Sequence, residues 1–445
     1  MLRFVLLLIL TFASSQTVSA AIVHIANGDC AGLSNAVATA AQSPNGSTTI
    51  ILARNGIYSG CSFRMGSGNV VIDGQGATLE PFSACVLPDN IYPFPTVPLP
   101  AFLLMRNLTI GSTPVSPSAE NSSPCTFVTG DMNPVIPIDY VLTNEGTLSL
   151  ESVTLRGPTA QNYGTWGFLS SAGNLILRNV SVVNVNVDSQ AFLLVLNPHN
   201  PDGSLIDNTG NLEIYNSSFL NNSAQQFQPT NVVPLIHSFS SPVSNSATPT
   251  VTISNSLFAG NSSPVCGADA LASVYTFKSL GGNVATDSSC GFSASTGDKI
   301  VQDAGLGTFD NHGGLIPTQA LTYSSPARGA GVAQYCEAVD ARGYTRSATG
   351  CDAGAYEYGG GAGALTANGM NGVYYDPNAG GHYVSIQRIH DNGDISILWS
   401  TFDQRGNQAW IYGVGQLSGQ HIHAAMSQNV GGVLQVGGPA TGSTV

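Results

Sequence analysis

The stretches GNLILRNVSVVN (Gly173–Asn184) and GNLEIYNSSFLN (Gly210–Asn221) decide how this chain folds. Each opens on glycine, sets apolar side chains two apart (Leu175 and Leu177; Leu212 and Ile214), bends at an asparagine (Asn179; Asn216) and resumes with another apolar residue (Val182; Phe219). Apolar spacing of two belongs to strands with one face buried, whereas a helix needs spacing of three or four. The pattern returns in GTLSLESVTLRG from Gly146 and PTVTISNSLFAG from Pro249, and more weakly in GNVVIDGQGATLEP from Gly68 and FLLMRNLTIGS from Phe102.

The bend falls in turn on Asn107, Ser152, Asn179, Asn216 and Asn255. Stacked side-chain amides at one offset predict a hydrogen-bonded ladder that satisfies polar groups otherwise costly to bury. Unevenly spaced copies that cannot bury their apolar faces alone, with loops between them, describe a parallel β-helix. A sandwich or propeller is the competing all-β architecture, and the fixed bend offset favours the helix of strands. CAGLSNAVATAAQS (Cys30 to Ser43) reads as the one amphipathic helix, with Leu33, Ala36, Val37 and Ala40 on one face. Placed before the first rungs, it would cover the open start of the coil.

The N-terminus has the layout of a secretory leader: Arg3, an apolar run from Phe4 to Phe12, and Val18-Ser19-Ala20 as a cleavage site. Removing it changes the formal charge from −13 to −14. With two lysines, Lys278 and Lys299, the chain lacks the clustered cations that bind nucleic acid. The later sequence contains no apolar stretch long enough for a transmembrane helix. Cys30, Cys61, Cys85, Cys125, Cys266, Cys290, Cys336 and Cys351 all follow the leader, an even count suited to disulfides in an oxidising compartment. Their order favours neighbour pairs: Cys30 with Cys61, Cys85 with Cys125, Cys266 with Cys290, Cys336 with Cys351. The expected division is a leader over residues 1–20, a β-helix over 21–358, a Gly-rich linker over 359–369 and a small β-domain over 370–445.

SLGGNVATDSSCGF (from Ser279), FDNHGGLIPTQALTYSSPARGAG (from Phe309), YCEAVDARGYTR (from Tyr335) and GCDAGAYEY (from Gly350) resemble, in order and spacing, the C-terminal signature of the choice-of-anchor Q family. These are exported bacterial right-handed parallel β-helix proteins, related to polymorphic outer-membrane and CSLREL-type surface proteins. DCAGLSNAVATAA with TIILARNGIYSG resembles their opening. Arg328 follows Ala327 where the family usually has an acidic residue, so no family carboxylate carries over to that position. The resemblance implies a right-handed coil and a secreted or cell-surface location. The long, flat, disulfide-stapled surface of such a coil suits an extracellular polysaccharide or cell-surface component as partner.

Several residue sets are candidates for chemistry. Asp188, His199, Asp202 and Asp207 surround one inserted loop, with His237 a rung or two later, and would serve a polysaccharide lyase or glycoside hydrolase. Such polar loops are more often only solvated. No cofactor is expected, and calcium enters only if the protein is a lyase. In the C-terminal part, Trp399, Trp410, Tyr374 and Tyr375 are aromatics able to stack on sugar rings, or simply the core of a small domain. His421 and His423, with His382 and His390, lack a cysteine or carboxylate at ligand spacing, so no metal site is assigned. Asp340, Arg342, Arg346, Asp352 and Glu357 form a charged knot around Cys336 and Cys351 in a chain with only 9% charged residues. It reads as a terminal cap of ion pairs over the exposed coil end, not an active site.

Overall fold

The computed structural model describes residues 21–42, 46–86, 101–111, 140–157, 167–189, 204–226, 233–238, 248–268, 276–359, 372–375, 382–388, 394–402, 406, 408–418, 421–433 and 441–444. The expected leader, residues 1–20, lies outside them, as do residues 360–369 of the expected linker.

Parallel strands dominate the larger part of the chain. One sheet takes in order Ala21–Ile25, Ser47–Leu52, Gly68–Leu79, Ala101–Gly111 and Thr147–Arg156. It then continues as two rows through Asn174–Arg178 with Ser181–Val183, Asn211–Tyr215 with Ser218–Leu220, and Thr250–Ser254 with Leu257–Ala259. A second sheet of seven strands runs from Cys61–Met65 to Cys266–Ala268. The chain visits the large sheet, crosses to the second, and returns to the large sheet one strand further on.

The repeats set this register. Leu148, Leu175, Leu212 and Val251 stand opposite one another on successive strands, as do Leu150, Leu177, Ile214 and Ile253. After the bend, Leu155, Val182, Phe219 and Phe258 align in the same way, and the rings of Phe219 and Phe258 stack with centroids 5.2 Å apart. All are buried in one continuous core. Because the strand period is two, slipping one residue would turn this whole set outward.

The bends require a backbone that few residues tolerate. Asn107, Ser152, Asn179, Asn216 and Asn255 have φ of 57°, 52°, 54°, 46° and 50°. Asparagine accepts this left-handed region at small cost, because its short polar side chain bonds locally. A second bend that the sequence reading passed over uses Asn184, Asn221 and Gly260 in the same conformation.

The amide ladder forms one residue later than expected. Ser217 Oγ accepts from Val180 N at 3.1 Å, Ser256 Oγ from Ser217 N at 3.2 Å, and Asn283 Oδ1 from Ser256 N at 2.9 Å. At the second bend, Asn222 Oδ1 accepts from Val185 N and Asn261 Oδ1 from Asn222 N, both at 2.9 Å. The left-handed bend interrupts the regular ladder, and the side chain of the next rung satisfies the following N–H.

The helix Cys30–Ala41 starts where Asp29 accepts a hydrogen bond from Gly32 N and buries Leu33, Val37 and Ala40 against the same core. Cys30–Cys61, Cys266–Cys290 and Cys336–Cys351 are disulfides, as the neighbour order predicts. Cys85 is also disulfide-bonded, but its expected partner Cys125 lies outside the described residues. Among the described residues no helix is long and apolar enough to cross a membrane. The C-terminal strands, from Gly372–Tyr375 to Thr441–Thr444, form a separate six-stranded antiparallel sheet in sequence order.

Phe219→Ala empties the centre of the stacked row and should cost about 3–5 kcal/mol. Chemical denaturation checks it: the midpoint should fall with an unchanged slope, and an unchanged midpoint would mean that this row does not bear on stability.

Candidate functional site

Of the loop residues offered for catalysis, the structure brings two together. Asp207 and His237 occupy opposite positions on the adjacent parallel strands Ile206–Asn208 and Ile236–Ser238. His237 Nδ1 lies 3.6 Å from Asp207 Oδ1, and the two side chains are only 5% and 4% exposed. Ile206 and Ile236 alternate with them into the core. On the other side of Asp207 the register places Ser170. The order is therefore hydroxyl, carboxylate, imidazole, with the carboxylate in the middle. A nucleophilic relay needs the imidazole between the other two. Burial also keeps this pair from meeting a polymer chain. His199 and Asp202 lie outside the described residues. Asp188 is on a different, two-stranded sheet opposite Gln225, and its side chain lies outside the described set.

The charged knot is buried and tightly bonded. Arg342 donates through Nε and Nη2 to Asp340 Oδ2 at 2.9 and 2.7 Å, and its guanidinium lies between the rings of Tyr344 and Tyr356 at 4.2 and 3.7 Å. Arg346 donates to Glu357 Oε2 at 3.2 Å, to Gly354 O at 2.7 Å and to Asn179 Oδ1 at 2.8 Å. Asp352 accepts from Gly329 N and Tyr358 N, and Glu357 from Ser347 N and Asp352 N. With donors and acceptors matched in this way, the cluster holds its own loops together. A buried pair of this kind adds little over an apolar substitute, yet breaking one partner is costly.

Its place in the fold corrects the expectation of a cap over the coil end. Residues 313–358, here called the strap, run along the large parallel sheet across the bends. Thr154 Oγ1 donates to Pro317 O, Asn179 Nδ2 to Val339 O, Asn216 Oδ1 accepts from Glu337 N, and Asn255 Oδ1 accepts from Val332 N. Ser218 Oγ accepts from Ala355 N. The strap thus contacts four successive rungs, three of them through the bend side chains Asn179, Asn216 and Asn255, which reach the strap instead of one another. Beneath it, outward-facing Val183, Leu220, Leu257 and Ala259 form a second apolar cluster with Ala327, Ala353 and Tyr356. At the last rungs it is Cys290 and Phe292, not the charged knot, that pack on the core.

Sequence reasoning missed Asp298, a buried carboxylate that accepts from Ser279 Oγ, Asn283 N, Ser293 N and Thr296 Oγ1 and so ties the loop after the last repeat to the ladder. Its signal is one acidic residue among serines and a threonine in SSCGFSASTGD.

The four C-terminal aromatics are divided by strand alternation. Tyr374 and Trp399 share one register row and are exposed, whereas Tyr375 and Trp410 share a row on the opposite face. His382 Nδ1 is 2.7 Å from Thr401 Oγ1 and its ring meets Phe402 edge-on. His390 and the side chains of His421 and His423 lie outside the described set. Among the described residues no three candidate ligands gather for a metal. The chain matches no family model, no curated protein and no solved structure.

Burial raises the pKa of Glu357, reinforced by the charge of Asp352 and outweighing the N–H groups of Asp352 and Ser347 and the charge of Arg346. Burial likewise raises Asp352 and lowers Arg346. A carboxyl raised in the folded state binds its proton more tightly than the unfolded chain does. Its contribution is complete below the ordinary carboxylate range and is lost as pH rises through the raised value. Self-repulsion in this acidic chain has the same sign. Thermal unfolding should therefore give a higher Tm near pH 5 than near pH 8, with Glu357→Gln flattening the difference. A Tm that climbs with pH would contradict the assignment.

Proposed function

We propose that this is a secreted or cell-surface protein with a structural, adhesive or glycan-binding role, built as a right-handed parallel β-helix of the choice-of-anchor Q type. In this reading the helix Cys30–Ala41 closes the start of the coil, the β-helix covers residues 21–358, and residues 370–445 form an appended β-domain. The partner is an extracellular polysaccharide or cell-surface component, and no cofactor takes part. The observation that supports it is the fate of the ionisable groups. Asp207 with His237, and the knot of Asp340, Arg342, Arg346, Asp352 and Glu357, are buried and spend their polar atoms inside the fold. Before the bend, by contrast, the outward Thr147, Asn174, Asn211, Glu213 and Thr250 of successive rungs keep part of their surface exposed. The disulfides fit an oxidising destination.

The rival reading, a polysaccharide lyase or glycoside hydrolase, needs two carboxyl groups facing one another across an accessible groove, and a lyase would add calcium. A glycan array on purified residues 21–445, run beside reducing-end and unsaturated-uronate assays, separates the two. Binding without product is the expected result, and release of product would overturn it.

A further inference from the structure

Alternate residues of the large sheet face away from the core, and the parallel register lines them up across the rungs. One such row is Thr147, Asn174, Asn211 and Thr250. Two residues along the same strand from Asn211 is Glu213, and two further is Tyr215. Asn174 is exposed and the others are half-buried.

The polar ends on this face are already held in place. Asn174 Nδ2 donates to Thr147 Oγ1 at 3.4 Å, and Thr250 Oγ1 donates to Asn211 Oδ1. Asn211 Nδ2 and the Tyr215 hydroxyl donate to opposite oxygens of Glu213, at 3.2 and 3.3 Å. Arg178, fixed by Glu337 of the strap, lies 4.6 Å over the Tyr215 ring. Groups ordered before binding lose little entropy when a ligand arrives. They recur at the strand spacing, so Thr147 to Thr250 spans about 14 Å, with each interval close to the length of one pyranose unit in an extended chain. Both the net charge of −13 and the Glu213 carboxylate repel a polyanion, which selects an uncharged ligand.

We propose that this grid binds an uncharged, extended polysaccharide lying across the rungs, its hydroxyls bonded to the amides and hydroxyls of the row and to Glu213. The proposal rests on the glycan-binding reading above and gives it a location and a ligand class. It is tested with the mature full chain by affinity electrophoresis in a soluble neutral β-glucan and a neutral mannan, with polygalacturonate and alginate as charged counterparts. Neutral polymer should retard the protein. Asn211→Ala combined with Thr250→Ala should weaken retardation roughly tenfold, while Trp399→Ala on the separate C-terminal sheet leaves it unchanged. Glu213→Gln, which keeps the shape, supplies the same test should the double variant fail to fold, and it too should weaken binding. Preference for the polyuronates overturns the proposal. So does binding lost in Trp399→Ala but kept in both grid variants, an outcome that leaves the glycan-binding reading standing. Failure of the intact protein to bind any polymer, neutral or charged, removes that reading along with the grid.

Discussion

The arrangement depends on one backbone constraint, the left-handed bend that recurs at Asn107, Ser152, Asn179, Asn216 and Asn255. Without it the strands before and after the bend could not both turn apolar side chains into the same core. The bend also aims the asparagine side chains away from that core. Their amides then offer a row of donors and acceptors, to which the strap from Gly313 to Tyr358 attaches at Asn179, Asn216 and Asn255. One conformational requirement thus organises both the inside of the coil and the segment on its flank.

The strap explains a concentration of charge that otherwise suggests chemistry. The segment has few large aliphatic residues of its own and no regular strand ladder beyond Leu321, so its backbone polar groups need partners. Arg342 and Arg346 supply those partners, donating to carbonyls of Glu357, Asp352 and Gly354 while pairing with Asp340 and Glu357. The stacking of Arg342 between Tyr344 and Tyr356 makes its guanidinium part of the packing as well as of the charge balance. The disulfide Cys336–Cys351 fixes the two halves of this unit, and both Asn216 and Asn255 direct amide nitrogens at the Cys351 sulfur, 3.4 and 3.5 Å away.

Much of the parallel sheet was legible because strands with one buried face leave a period of two, and Leu175, Leu177, Leu212 and Ile214 display it openly. The bend offset was legible for the same reason. The partner of the bend side chains was not, since an asparagine that bonds the next rung and one that bonds a distant strap have the same letter and the same spacing. A clue did exist. In SVV, SFL and LFA the residues Val183, Leu220 and Ala259 break the alternation with outward apolar side chains, the mark of a strand covered on both faces. For the candidate site, the proximity of Asp207 and His237 followed from one rung of separation. Their burial, and the position of Asp207 between Ser170 and His237, depended on register in the second sheet, where the strands are too short to show a period.

Amide hydrogen exchange on residues 21–445, comparing the parent chain with Asn216→Ala combined with Asn255→Ala, addresses the central claim most directly. If the bend amides hold the strap, peptides spanning residues 332–357 lose protection in the variant while Leu175–Leu177 and Leu212–Ile214 keep theirs. Uniform loss across the coil, or unchanged protection of the strap, would contradict the account.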